Sequence, residues 1–472
     1  MRRIPRVLAA GCVMVAFDLL CGLGVKSAEQ PAPDFIVTAA PVYKQLAELR
    51  GEERFPRGAQ LMLVHDGKPE AFVPGFAASA DADVSFDGKS ILFAGKRAQG
   101  DPWQIWELTL EERSVRRVTS TASDAVRPFY LPGGRLVWAQ RTATGFEIDS
   151  SDDGFKQESA PLNPTAGPGV LALTYLQTSA FPTGVMHDGR ILFESGFPLG
   201  SGSMPEIYLV YADGSGVESY RCDHGRARWG ARQLASGDVI FTHGTSLGRF
   251  SSSLAHEAAI VAPSAQYAGE IAEADSGAWL VSARETGHAH YAIQVGHPAS
   301  SPGQSTARLE TLLAMDGTDL VDPAVVAAHP RPNRHPSGLH PWNYANLLAL
   351  DARVSRDGVL RQSPAAVRLE SEDSSGRAIV AGTAPVEQDG SFFVRVPPDR
   401  PIRFALLDRS GAVLRKEQGW FWIRGGEQRI CVGCHAGPER ASDNRVPAVL
   451  LRTTTPADLT GGTSGHSAPG GR

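Results

Sequence analysis

Between residues 83 and 281 the chain repeats one local pattern, in which a polar turn carrying glycine runs directly into a strand of β-branched or aromatic residues. The copies centre on Asp87-Gly88-Lys89, Gly133-Gly134-Arg135, Asp188-Gly189-Arg190, Ser236-Gly237-Asp238 and Ser276-Gly277-Ala278. Gly88, Gly133, Gly189, Gly237 and Gly277 stand 45, 56, 48 and 40 residues apart. A turn that hosts positive φ, followed by a strand and then a further strand, is a β-hairpin signal. Its recurrence every 40–50 residues, with several strands per repeat, is the signature of propeller blades, none of which buries both faces alone. The expectation is an all-β chain whose residues 35–325 form an N-terminal β-propeller of about six blades. A pair of β-sandwiches with ordinary hairpin turns is the alternative.

The composition agrees with a β-rich, well-packed molecule. Among 472 residues there are 50 glycines and 33 prolines, which favours many tight turns, and 42% are hydrophobic. A net charge of −5 gives no basic field for a phosphate backbone, so no nucleic-acid partner is expected. Arg2, Arg3 and Arg6 precede an apolar run from Val7 to Val25 that ends in small residues, so residues 1–28 read as a signal peptide. Asp18 makes that run a poor permanent anchor. No other stretch reaches the roughly 20 apolar residues of a spanning helix. The expectation is a periplasmic or secreted protein with no integral membrane span after signal removal. Cys12 and Cys21 would leave with the signal, and Cys222, Cys431 and Cys434 are too few for a disulfide scaffold.

From Val321 the chain becomes rich in proline and histidine, and residues 326–342 read as a stiff linker leaving the propeller. A new β pattern over 343–455 reads as a small antiparallel sandwich, and 456–472 as a disordered tail. Near the sandwich's end stands Cys431-Val432-Gly433-Cys434-His435, the spacing of c-type haem attachment. Cys431 and Cys434 would form thioethers to haem, and His435 would be the axial iron ligand. A zinc site, a redox dithiol and a plain disulfide are the alternatives. The first needs more ligands, and the second normally sits at a helix start in a thioredoxin context. No methionine is near the motif, so a sixth iron ligand would come from elsewhere, for example His329, His335 or His340. In the propeller, Cys222 and His224 place two soft metal ligands on one face if the segment is a strand, with a buried structural thiol as the bland reading. The other propeller histidines read as surface or satisfied core groups.

The aspartate-glycine-lysine turn resembles the repeat of the periplasmic Tol-system propellers. Propeller, linker, sandwich and haem motif in that order resemble the hydrazine synthase alpha-subunit family, in particular its propeller and its middle domain with a c-type haem. The likeness is strongest from Gly382 to Cys434. It is carried by Asp389-Gly390-Ser391-Phe392-Phe393, Val396-Pro397, Leu406-Leu407-Asp408, Trp420, Trp422 and Gly426-Glu427, leading into the motif. The family pattern implies that the motif histidine is drawn toward a zinc also bound by a propeller cysteine. Cys222, with His224 or His243, is the counterpart here. Two departures stand against copying the activity. Glu439 occupies the place of the tyrosine that ligates the active haem iron in the family, and no second haem motif follows. The functional expectation is therefore an exported monohaem c-type cytochrome, with haem c as covalent cofactor and zinc as a second candidate. It would serve electron transfer or small-molecule redox chemistry with a redox partner protein, as a candidate haem-dependent oxidoreductase. The alternative is a non-catalytic binding or sensory propeller with a structural haem.

Overall fold

The computed structural model describes residues 33–151, 169–176, 178–196, 204–260, 265–274, 277–297, 308–355, 358–373, 375–433 and 443–461. The expected signal peptide and the last eleven residues lie outside them.

Six four-stranded antiparallel sheets make the propeller. Their innermost strands are Ala78–Val84, Ala125–Tyr130, Ala180–Val185, Trp229–Gln233, Ala265–Glu273 and Asp319–Val325, numbered here as blades one to six. Each inner strand touches the next, and the sixth touches the first, so the ring closes and excludes the paired-sandwich alternative. Closure is made by the two ends of the propeller segment. In blade six the late strand Asp319–Val325 pairs with the early strand Phe35–Ala40, which then continues to Gln60–His65 and Lys68–Ala71. The five repeated glycines all sit in the turn from a blade's first strand to its second, with φ between 71° and 91°. Blade six has no such turn because its first two strands come from opposite ends of the propeller segment, residues 35–325.

All six inner strands break register once, at the same depth in the ring. Asp81, Arg127, Gly230, Gly269 and Asp322 take positive φ at five of these bulges. A bulge turns an extra residue out of the ladder, and here it aims polar groups into the channel. Asp81 accepts the Arg127 amide, Glu194 accepts the Gly230 amide, and Asp322 accepts the Glu270 amide, so carboxylates stitch one blade to another. Arg127 bridges Glu194 (2.7 Å) and Glu48 (3.2 Å), and Arg54 bonds Asp81 and Asp322. Glu48 and Arg54 belong to the loop between Phe35–Ala40 and Gln60–His65, which is thereby tied to the bulged inner strands of blades one, two and six.

Residues 326–342 do not lead away from the propeller. They lie as a strap across the turns of blades one to three. His329 N donates to Phe86 O, Asn333 N to His187 O, and Ser337 Oγ to Asp213. The strap presses so closely that a Cβ on Gly88 or Gly189 would collide with the backbone of Ala327–Ala328 or with Asn333 O.

The second unit is a sandwich of two four-stranded sheets around Leu347, Val367, Leu369, Val394, Phe404, Leu406 and Ile423. One sheet orders Gln428–Cys431, Ala345–Ala349, Phe392–Val396 and Ala457–Asp458. The other orders Ala378–Pro385, Ala366–Glu372, Ile402–Leu407 and Val413–Lys416. The sandwich therefore runs beyond residue 455, where a disordered tail was expected to begin. Ala457–Asp458 pairs in parallel with Val394–Arg395, and Leu459 is buried against Gly382, whose missing side chain makes the room. Among the described residues no helix is long and apolar enough to cross a membrane.

Candidate haem-attachment site

The segment Trp420–Cys431 is fixed before it reaches the first motif cysteine. Trp422 is fully buried in the core of blades two and three, beside Phe129, Val137, Leu173 and Tyr208, and its Nε1 donates to Gly214 O (3.0 Å). Arg424 donates to Ala172 O and Tyr175 Oη and pairs with Asp399 at 3.0 Å. Glu427 accepts the Arg424 amide with one oxygen and the Gly216 amide with the other, while burial pushes its carboxyl up. Gly425 and Gly426 lie directly under the strap, where a Cβ would meet Trp342 O or His340 O, and Gly426 has φ 80°. The tryptophans and the glycine-glutamate pair that carry the family likeness are thus the docking contacts between sandwich and propeller.

From this anchor Gln428–Cys431 runs parallel to Ala345–Ala349, with Cys431 opposite Ala349 and its carbonyl accepting the Leu350 amide. Cys431 is partly exposed at the strand's end and packs on the sandwich core. Burial pushes its thiol up, opposed by the nearby Arg429 guanidinium. Arg429 also donates to Val217 O of blade three. Ile430, on the alternate face, is 64% exposed.

Cys434, His435 and Glu439 lie outside the described residues. The chain beyond them returns to the same end of the sheet. Arg445 pairs with Asp351, the Ala448 amide donates to Asp389, and the Val449 amide donates to Ser391 Oγ. Val446 and Leu451 on this returning segment are exposed apolar side chains. An attached porphyrin fits this end on two counts, namely a cysteine at a strand terminus and exposed apolar side chains.

The three histidines considered as sixth ligands all lie on the strap. His329 is committed through Nε2 to Val84 O and sits edge-on to Phe86. His335 stacks on Tyr211 with centroids 4.0 Å apart. His340 stacks on Trp342, and its amide donates to Gly426 O, which places it nearest the motif strand.

The candidate zinc residues separate into two clusters. Cys222 is in a loop rather than a strand, with φ 59°, and its Sγ is 3.9 Å from His224 Nε2. His224 Nδ1 bonds Glu206 at 2.7 Å. Burial opposes its protonation, but the bonds to Cys222 and Glu206 push it up to about 9. His243 instead bonds Glu257, which also takes Arg228. Among the described residues no group of three or more histidine, cysteine or carboxylate side chains is arranged to hold a metal. Of the two alternatives, Cys222 and His224 stand together, whereas Glu257 holds His243 in an ion cluster of its own; His435, the motif member of that reading, lies outside the described residues.

Sequence reasoning missed Arg429 and the channel network. The signal available was charge inside otherwise apolar strands, at Asp81, Arg127 and Asp322.

Residues 350–436 match the family model of the hydrazine synthase alpha subunit middle domain. Hydrazine synthase subunit alpha of Kuenenia stuttgartiensis is 25% identical over 116 residues, 23% of this chain and 14% of that protein, so the match spans a small part of the relative's length. In fold, the Kuenenia stuttgartiensis hydrazine synthase structure superposes with a TM-score of 0.74 at 18% identity, over 89% of this chain and 71% of that one. TolB from Acinetobacter baumannii gives a TM-score of 0.43 at 13% identity, over 62% and 66% of the two chains. By sequence, residues 350–436 are similar to the hydrazine synthase alpha subunit middle domain, and by fold the chain is similar to the hydrazine synthase structure.

Proposed function

We propose that this hydrazine synthase alpha-like chain is an exported monohaem c-type cytochrome that exchanges electrons with a protein partner or a small molecule. The observation that carries the reading is the Cys431–His435 motif, lying inside the segment matched by the middle-domain family and entered from a strand locked to the propeller. When bound, c-type haem supplies a one-electron iron centre.

The chain's own residues supply attachment, orientation and a fixed surface. Cys431 and Cys434 offer the two sulfurs, and His435 offers the imidazole that comes under the iron. Trp422, Arg424 and Glu427 hold the strand leading to Cys431 against blades two and three. Ile430, Val446 and Leu451 offer apolar cover at the same end. Export is consistent with the charged and then apolar start of the sequence.

The test is expression with the native leader in a host that matures c-type cytochromes. The expected result is a periplasmic product whose mass exceeds the processed polypeptide by one porphyrin, with a haemochrome spectrum for two thioethers. A product of polypeptide mass alone would end the reading.

A further inference from the structure

We propose that a cavity between blades one and two is a binding site for a small zwitterion of the free α-amino acid class. The proposal does not rest on the haem reading, because the cavity stands at the end of these blades away from the strap.

The cavity measures about 140 Å³. At roughly 10–15 Å³ for each water-sized atom it takes a ligand of about ten heavy atoms. It is enclosed by Ala78 and Ala80 of blade one's inner strand, by the entry to blade two's inner strand, and by the loop that carries Arg54. Two cations on its wall occupy equivalent places. Lys96 ends the second strand of blade one and Arg141 ends the second strand of blade two. Each lies over the ring at the entry to the third strand, with Lys96 Nζ 5.2 Å from the Trp103 centroid and Arg141 Cζ 4.4 Å from that of Phe146. The strap lies against Gly88 and Gly133, in the turns that begin the same two second strands, so a blade's length separates it from the cavity.

Five carboxylates also line the cavity, and four of them are matched. Glu48 and Asp81 face Arg54, Asp124 accepts Arg141 Nε at 2.9 Å, and Glu52 lies 3.5 Å from both Lys44 and Arg50. One group of each sign is left over. Among the described residues neither the Lys96 ammonium nor the Glu53 carboxylate has an ion-pair partner. A lone anion here would meet the five carboxylates, and a lone cation would meet Arg54, Lys96 and Arg141. A molecule with one carboxylate and one ammonium satisfies Lys96 and Glu53 together and leaves the charge balance of the site unchanged. Trp103, Phe146 and the two alanines supply apolar wall for its side chain.

The experiment uses the full-length protein, with L-leucine, L-glutamine and L-phenylalanine as probes in thermal unfolding and calorimetric titration. At least one probe at about 10 mM is expected to raise the melting temperature. The amine and the acid that lack that probe's carboxylate or its ammonium are expected to bind at least about tenfold more weakly. K96Q should abolish the difference between the amino acid and its amine, and E53Q the difference between the amino acid and its acid. No shift with any of the three probes would mean that the cavity holds only water and would overturn the proposal. An amine or acid that binds as tightly as the amino acid would overturn it too, as would K96Q and E53Q that bind like the parent. The porphyrin mass of the same preparations reports the haem reading separately, so the two failures are told apart.

Discussion

At Cys431 one sulfur sits at the junction of a fixed strand and the segment that carries the rest of the motif. C431A should leave the strand paired, because the pairing uses backbone groups, while removing one of the two thioethers. The expected product carries haem through Cys434 alone, and its pyridine haemochrome band moves to the longer wavelength of a porphyrin with one free vinyl group. An unmoved band would mean that Cys431 does not bond the porphyrin. H435A tests the imidazole in the same way, since loss of an axial ligand changes the spin state and potential. The motif's spacing was readable in the sequence alone, because the proposed pair of thioethers with an adjacent ligand requires one spacing. Arg429 was not, because its meaning comes from Val217 and Phe421, which are distant in sequence or read as generic strand residues.

Among the elements, the strap gives the sharpest contrast between two glycines that look alike in sequence. Gly189 and Gly237 occupy equivalent turns with φ 88° and 91°. A Cβ at Gly237 meets nothing, whereas at Gly189 it meets the carbonyl of Asn333, whose amide is itself bonded to His187 O. G237A should therefore cost only the left-handed backbone strain of about 1–2 kcal/mol. G189A should cost about 1–3 kcal/mol more, from overpacking against the strap. Urea unfolding of the two variants measures the difference, and equal losses would mean that the strap does not bear on the turn. W422A removes the largest fully buried side chain among the described residues, which lies where sandwich meets propeller. It should cost about 3–5 kcal/mol and uncouple the sandwich as an earlier calorimetric transition. The turn glycines were readable because positive φ has a residue preference. The strap's path was not, because its main contacts are backbone to backbone and its prolines read equally well as a free spacer.

For the whole molecule, the repeat predicted the ring, while closure and channel chemistry had to be seen. Closure pairs residues 35–40 with 319–325, and no local pattern announces a contact at that separation. The channel charges stand on bulges, which the sequence shows only as unexpected Asp and Arg within apolar strands. These charges make stability depend on pH in a direction that can be worked out. Around Arg54, Arg127 and Arg232 stand Glu48, Asp81, Glu194, Glu270 and Asp322, so acids outnumber arginines inside the ring. Enclosure in the channel pushes Glu270 up to about 8, with Arg232 opposing the rise and Asp322 reinforcing it. A carboxyl of folded pKa near 8 and unfolded pKa near 4.5 binds its proton more tightly when folded. Its contribution is complete below pH 4.5 and is lost as pH rises toward 8. Glu147 and Asp149 of blade two, raised by burial to about 8 and about 7, act in the same direction. Thermal melts in constant ionic strength should therefore fall between pH 5 and pH 8. In E270Q the amide stays neutral across that range, so the fall should be shallower and the melting temperature at pH 8 higher than the parent's. A parental slope in E270Q would show that Glu270 ionises freely in the folded ring, its charge balanced by Arg232 alone.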